Sequence, residues 1–441
     1  MMVTVSTTVT PSMWIAGSIL VIAYVLIFSE VIHRTLAGVI GAVTMILAGM
    51  IGGFYSQADA VAAIDASTMF LLTGMMTLVV MLKPTGAFEF LAIRMAKLSR
   101  GSPKRLLIYI STVVTVISML LDNVTTVLVF APLTVVIARL LGINPVPYIM
   151  AEALLSDTGG VATLVGDPPN VMIGSAASID FNQFLFHMGP IIFVDWVVTL
   201  LLLLFLFRED LAQKFEGILD LDETRAMKDL KRLHAIMISI GIVILLFFIH
   251  HHFHLVPGFV TWIGVAVALV LVRPDPDELF RGLDWAVLVF FAGLFIIVGG
   301  VEGSGLLNLL GQQLTNVAQD PDKLLITALV IMWVSALLSA AVDNIPFTVT
   351  MIPIISHLET QGVNVMPLWW ALALGVGLGG NGTHIGSTAN IICVAEVERT
   401  GIQKYYITPL FWMKKGTPVM LSTLIVSSLL LTVFFDYYSG G

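Results

Sequence analysis

The chain has 441 residues, of which 58% are hydrophobic and only 11% charged, with a net charge of −8 and a mean hydropathy of +0.98. That balance excludes a string of soluble domains and excludes a nucleic-acid partner, which would need a basic, aromatic-interleaved stretch that is missing. A polytopic membrane protein in contact with lipid remains.

In chain order, the first thirteen residues carry no Lys or Arg. The apolar run 14–28 is followed by no small-residue cleavage pattern, so it reads as a retained first helix. Runs long enough to cross about 30 Å at 1.5 Å per residue lie near 13–29, 35–52, 66–82, 185–207, 234–250, 257–272, 285–301 and 416–435. Between them stand segments of equal hydrophobicity interrupted by polar residues. Residues 105–141 and 323–358 read as helical arms of roughly 15 residues joined at Asp-Asn, short for spanning and therefore suited to re-entrant hairpins. Residues 148–178 and 366–395 read as helices broken by Gly-rich stretches, and backbone released at membrane depth survives only against protein or a watery cavity.

The interruptions come in pairs. Ser118-Met119-Leu120-Leu121-Asp122-Asn123 returns as Ser339-Ala340-Ala341-Val342-Asp343-Asn344, and Gly159-Gly160 through Asn170 returns as Gly379-Gly380 through Asn390. Asp65 aligns with Asp284, Gly74 with Gly293, Lys83 with Glu302, Gly86 with Gly305 and Gly38 with Gly258, all offset by 219 or 220 residues. The expected fold is an all-α polytopic membrane protein of two repeats, 1–207 and 234–441, joined by a charged cytoplasmic linker, 208–233. Cytoplasmic loops are enriched in Lys and Arg. If both termini are outside, then of 21 basic residues only Lys323 falls outside. That agreement requires five crossings per repeat, with the hairpins returning to their side of origin, so the second repeat is inserted upside down.

Matching interruptions in inverted repeats mark a binding site, because ionisable groups inside hydrocarbon are costly. At the hairpin tips, Asp122 and Asp343 are the candidates for proton or ion coupling, with Asn123, Thr126 and Asn344 beside them as solute ligands. An Asp heading a helix also serves simply as its cap. In the broken helices, Thr163, Asn170, Thr383 and Asn390 offer uncharged donors and acceptors, and His384 is the group there that titrates near neutrality. Glu152 and Asp157, one and a half turns apart on the arm before the first break, extend a proton path or hydrogen-bond between helices. Cys393 is a small buried residue rather than a thiolate trap, and it cannot form an internal disulfide. His250 and His254 lack a third ligand, so no metal and no cofactor is expected.

The stretches Leu121-Asp122-Asn123-Val124-Thr125-Thr126 and Gly159 to Asn170, with its Gly166-Asp167-Pro168-Pro169-Asn170, resemble the ArsB/NhaD branch of the ion transporter superfamily. That branch holds bacterial arsenite efflux pumps, sodium/proton antiporters and the pink-eyed-dilution P protein. The resemblance implies a secondary transporter with a static scaffold and a moving part that carries both hairpins and both broken helices. Homodimers are frequent in the branch. It also implies that Asp122, Asn123, Asp343, Asn344, Thr163, Asn170, Thr383 and Asn390 occupy the solute and coupling-ion positions.

Neutral arsenous acid presents three hydroxyls that Asn, Thr and Asp can bind. None of the four interrupted stretches contains an Arg or Lys, which counts against citrate or dicarboxylates. The expected function is therefore efflux of arsenite and antimonite in exchange for protons at a bacterial inner membrane. Sodium/proton antiport is the rival, and an intramembrane aspartyl hydrolase using Asp122 and Asp343 is a remote one, since such carboxylates would need to be nearly in contact. Whether an ATPase subunit attaches to the cytoplasmic loops is not legible in the sequence.

Overall fold

The computed structural model describes residues 9–29, 31–212, 223–253, 255–307, 309, 320–341 and 344–440, and among these every regular element is helical. The first repeat contains α1 (Pro11–Ser29), α2 (Arg34–Gly52), α3 (Gln57–Ala62), α4 (Ala66–Leu82), α5 (Ala87–Leu98), α6 (Pro103–Leu120), α7 (Asn123–Leu141), α8 (Val146–Gly160), α9 (Pro168–Ala177) and α10 (Phe181–Leu206). The second contains α11 (Leu230–Ile249), α12 (Pro257–Val272), α13 (Pro276–Gly282), α14 (Trp285–Gly303), α15 (Pro321–Ala341), α16 (Asn344–Thr360), α17 (Met366–Gly379), α18 (Thr388–Glu398) and α19 (Pro409–Val433). Among the described residues nine helices are long and apolar enough to cross a membrane.

Local chemistry sets the boundaries. Asp65, Asp122, Asp180, Asp229, Asp275 and Asp284 each cap the helix that follows by accepting a backbone N–H. Proline opens α6, α9 and α12, where its missing N–H costs nothing.

The helices pair reciprocally. Helix α2 packs on α14, the counterpart of α4, while α4 packs on α12, the counterpart of α2. Likewise α7 packs on α18 and α16 on α9. Such exchange is what a two-fold relation between the repeats produces. Small residues permit it: a Cβ on Gly293 would lie 2.9 Å from the Gly38 carbonyl, and one on Gly258 would lie 2.8 Å from Ser67 O.

The hairpin arms are longer than the expected 15 residues, with 18 in α6, 19 in α7, 21 in α15 and 17 in α16. Length alone therefore does not make them re-entrant; their register against α8 does. At the start of α8 the Tyr148 hydroxyl donates to Pro103 O at the start of α6 (3.4 Å), and at its end Ser118 Oγ donates to Ser156 O (2.7 Å). Helix α7 then returns along α8, where the Thr134 hydroxyl meets Glu152, so both outer ends of the hairpin share one end of α8. Its tip lies at the break. Of the charged linker, Glu223 pairs with Arg94 at 2.5 Å and Lys97 at 3.6 Å on α5, while residues 213–222 lie outside the described residues.

Candidate functional site

Each hairpin tip is stitched to the break of its own repeat by the same bonds. Thr163 Oγ1 donates to Met119 O, and Thr383 Oγ1 to Ala340 O. Asn170 Nδ2 donates to Gly160 O (3.0 Å) and Thr163 O (2.9 Å), and Asn390 Nδ2 to Gly380 O (2.9 Å) and Thr383 O (3.0 Å). These amides satisfy carbonyls that the broken helices release, as backbone away from water requires. Gly166 and Gly386 are needed for the closeness of the strands, since a Cβ would come within 2.6 Å of Gly160 O in one repeat and 2.5 Å of Gly380 O in the other.

The repeats meet through carboxylates. Asp157, almost wholly buried near the end of α8, accepts from Asn123 Nδ2 (2.9 Å) at the first hairpin tip and from Ser387 Oγ (2.9 Å) in the break of the second repeat. Asp167, in the break of the first repeat, accepts from Asn344 Nδ2 (3.1 Å) at the second hairpin tip. Tips and breaks of opposite repeats thus share one buried polar centre.

Asp122 lies at the edge of this centre. It caps α7, accepting from Thr125 N (2.8 Å) and Thr125 Oγ1 (2.5 Å), and its backbone carbonyl takes the Thr126 hydroxyl (2.8 Å). Its counterpart Asp343 lies outside the described residues. Glu152 is fully buried one and a half turns before Asp157; one oxygen takes the Thr134 hydroxyl and the other takes no hydrogen bond among the described residues. His384 is half-buried in the second break and takes no part in this network. Cys393 is buried in α18. His250 Nδ1 pairs with Leu255 O at 2.7 Å in the turn after α11, and His254 lies outside the described residues.

Sequence reasoning passed over four residues. Arg34, at the head of α2, donates from Nη1 to Thr388 Oγ1 (2.6 Å) beside the second break. Arg34 and Lys83 line a cavity against the centre together with Asp122, Thr125, Asp284 and Thr388. The expectation that no cation serves the site rested on the four interrupted stretches alone, and it fails because these cations arrive from other helices. Asp167 stands within a quoted motif, yet nothing in the sequence shows that it faces Asn344. Asp195 is fully buried in α10 and accepts from Ser427 Oγ (2.6 Å) of α19, a lone acid in a long apolar run that could have been singled out.

A family profile described as citrate transporter matches residues 24–375. The 46 kDa membrane protein of Mycobacterium leprae is 37% identical over 437 residues, covering 95% of this chain and 97% of that protein. An uncharacterized transporter of Mycobacterium tuberculosis is 37% identical over 400 residues, 88% of this chain and 91% of the other. The human P protein is 31% identical across 95% of this chain, which spans 59% of the P protein's length. Among solved structures, the YdaH transporter of Alcanivorax borkumensis, whose topology is described as unusual, superposes with a TM-score of 0.59 at 16% identity, covering 92% of this chain and 99% of that one. At that identity the likeness concerns the fold.

Proposed function

Because the chain belongs to the citrate transporter family, and is therefore a multi-pass membrane transporter rather than an enzyme, we propose that it is a proton-coupled secondary transporter in which Asp157 carries the coupling proton. The observation that carries this reading is the buried carboxylate that takes one hydrogen bond from each repeat. Ionised, Asp157 only accepts; protonated, it becomes a donor on one oxygen and loses the charge that strengthens both bonds. The same proton removes the cost of carrying a charge through an apolar barrier. Hairpin tip and opposite break are thereby held differently in the two protonation states, which is what coupling needs. The distribution of Lys and Arg fits an inner-membrane orientation with both termini outside.

For the cargo, the cavity at Arg34 and Lys83 favours a small carboxylate anion, citrate being the one in the family's description. Arsenous acid is the second reading, favoured by the uncharged amides and hydroxyls of the centre itself. Flux into vesicles containing the purified protein, under imposed proton or sodium gradients, separates these. A proton gradient is expected to drive accumulation of labelled citrate, and accumulation of arsenite instead would select the second cargo. Sodium-driven proton movement without either solute would select the antiport rival. Solute flux indifferent to the proton gradient would sink the coupling reading.

A further inference from the structure

A second cavity stands at the other end of the same scaffold helices. The cavity described above is lined by Val79, Val80 and Lys83 at the end of α4, and by Asp284 and Val287 at the start of α14. The other is lined by Ala63 and Asp65 before the start of α4, and by Val298, Gly299 and Glu302 at the end of α14. Helix α4 has 17 residues, about 25 Å at 1.5 Å per residue. The two cavities therefore belong to opposite faces of the membrane.

They are also the same place in the two repeats. Ala63 corresponds to Gly282, Asp65 to Asp284, Val298 to Val79, Gly299 to Val80 and Glu302 to Lys83, all 219 residues apart. Each cavity ends on the hairpins and broken helices, at Thr125 and Thr388 in one and at Val349 and Ser175 in the other. The difference is charge. The first carries two cations, Arg34 and Lys83, with two carboxylates, Asp122 and Asp284; the second carries the carboxylates Asp65 and Glu302 and no cation. Neither Lys83 nor Glu302 is engaged in an ion pair among the described residues, so each charge acts on what enters.

We propose that the two cavities are the vestibules of one transport cycle and that Lys83 and Glu302, at one position of the repeat, set the charge each vestibule selects. The anion-attracting vestibule gathers an anionic solute, and the acidic one expels it and gathers cations, protons included. Fixed charge lining a cleft raises the local concentration of its counter-ion and so the rate of entry. This deepens the proposed function and rests on it only for the alternating use of the two cavities.

Thiol labelling tests the inference without any transported solute. In a full-length Cys393→Ser background, Val80→Cys and Ser175→Cys place one thiol in each vestibule. Membrane vesicles of both orientations are exposed to impermeant thiosulfonates, one anionic and one cationic. The thiol at position 80 is expected to react in one orientation and that at 175 in the other. The anionic-to-cationic rate ratio should be about tenfold higher at 80 than at 175. Lys83→Glu should lower the ratio at 80, and Glu302→Lys should raise it at 175. Lys83→Gln and Glu302→Gln should move each part-way, should the reversals misfold. Labelling of both thiols from one face, or ratios that none of these four variants moves, overturns the proposal. A wrong cargo would leave every one of these results unchanged.

Discussion

The two repeats share a skeleton and differ in acid. The bonds from Ser118, Thr163 and Asn170 in the first recur from Ser339, Thr383 and Asn390 in the second. Yet Glu152, Asp157 and Asp167 of the first correspond to Leu372, Gly377 and Ser387 of the second. Buried carboxylates among the described residues, namely Asp122, Glu152, Asp157, Asp167 and Asp195, all belong to the first repeat. Duplication supplied the geometry twice, whereas the titratable chemistry was kept on one side. A coupling proton then has one asymmetric home and not two equivalent ones.

The largest expected effect tests that asymmetry. Asp157→Asn keeps an oxygen for Asn123 and Ser387 but removes the charge, so folding should persist while proton-driven flux in vesicles falls by about 100-fold. That corresponds to roughly 3 kcal/mol, the scale of two charge-assisted bonds at about 1.5 kcal/mol each. Full proton-driven flux in this variant would move the coupling site elsewhere in the first repeat, with Glu152 and its open oxygen next in line.

The shared skeleton makes the opposite prediction. Asn170→Ala and Asn390→Ala each strip two hydrogen bonds from buried carbonyls. At about 1 kcal/mol or more per orphaned carbonyl, both should lower thermal stability in detergent by a similar amount, about 2 kcal/mol. A loss confined to one of them would mean that the two breaks are not held alike.

Much of this was legible from the chain, and what was not has a physical reason. Repeat and breaks could be read because Gly, Pro, Asn and Asp are conspicuous in hydrocarbon, where each interrupts a backbone that must otherwise bond itself. The exchange of partners between repeats could not, since nothing in the sequence says whether α2 meets α4 or its counterpart α14. Arg34 was missed for the same reason: it stands 354 residues from the Thr388 it binds. The arms were judged too short because their polar tips were counted out of the helices, whereas Asn123 and Asn344 are the first residues of α7 and α16. The roles given to Asn170 and Asn390 assumed free amides, but in this structure both amide nitrogens are spent on backbone carbonyls.

A smaller contrast lies where each hairpin packs on its broken helix. A Cβ on Gly379 would fall 2.5 Å from the Ala336 backbone, while one on Gly159 would fall 2.8 Å from Thr115. The tighter contact has only backbone to push against; at Gly159 one of the opposing atoms is a side-chain methyl. Gly379→Ala should therefore cost more than Gly159→Ala, both within the range of about 1–3 kcal/mol for overpacking, as read by thermal unfolding. The reverse order would place the looser seam in the second repeat.

The smallest effect compares α3 with α13, short helices outside the candidate spans. Ser56 and Asp59 form a reciprocal capping box, with Asp59 N donating to Ser56 Oγ (3.1 Å) and Ser56 N to Asp59 Oδ2 (2.9 Å). Asp275 caps α13 with one bond, from Asp277 N (2.8 Å). Removing either cap as Ser56→Ala or Asp275→Ala should cost about 1 kcal/mol. The two should part with pH, because the Ser56 hydroxyl and then its backbone N–H hold the exposed Asp59 carboxyl below its ordinary value of 3.8. A carboxyl depressed in the folded state stabilises above its unfolded value and ceases to do so as pH falls through the folded one. The penalty of Ser56→Ala should accordingly be present in full at neutral pH and shrink once the pH drops below 3.8. Thermal unfolding across that range checks it, and a penalty that grows on acidification would mean that Asp59 is not held by the box.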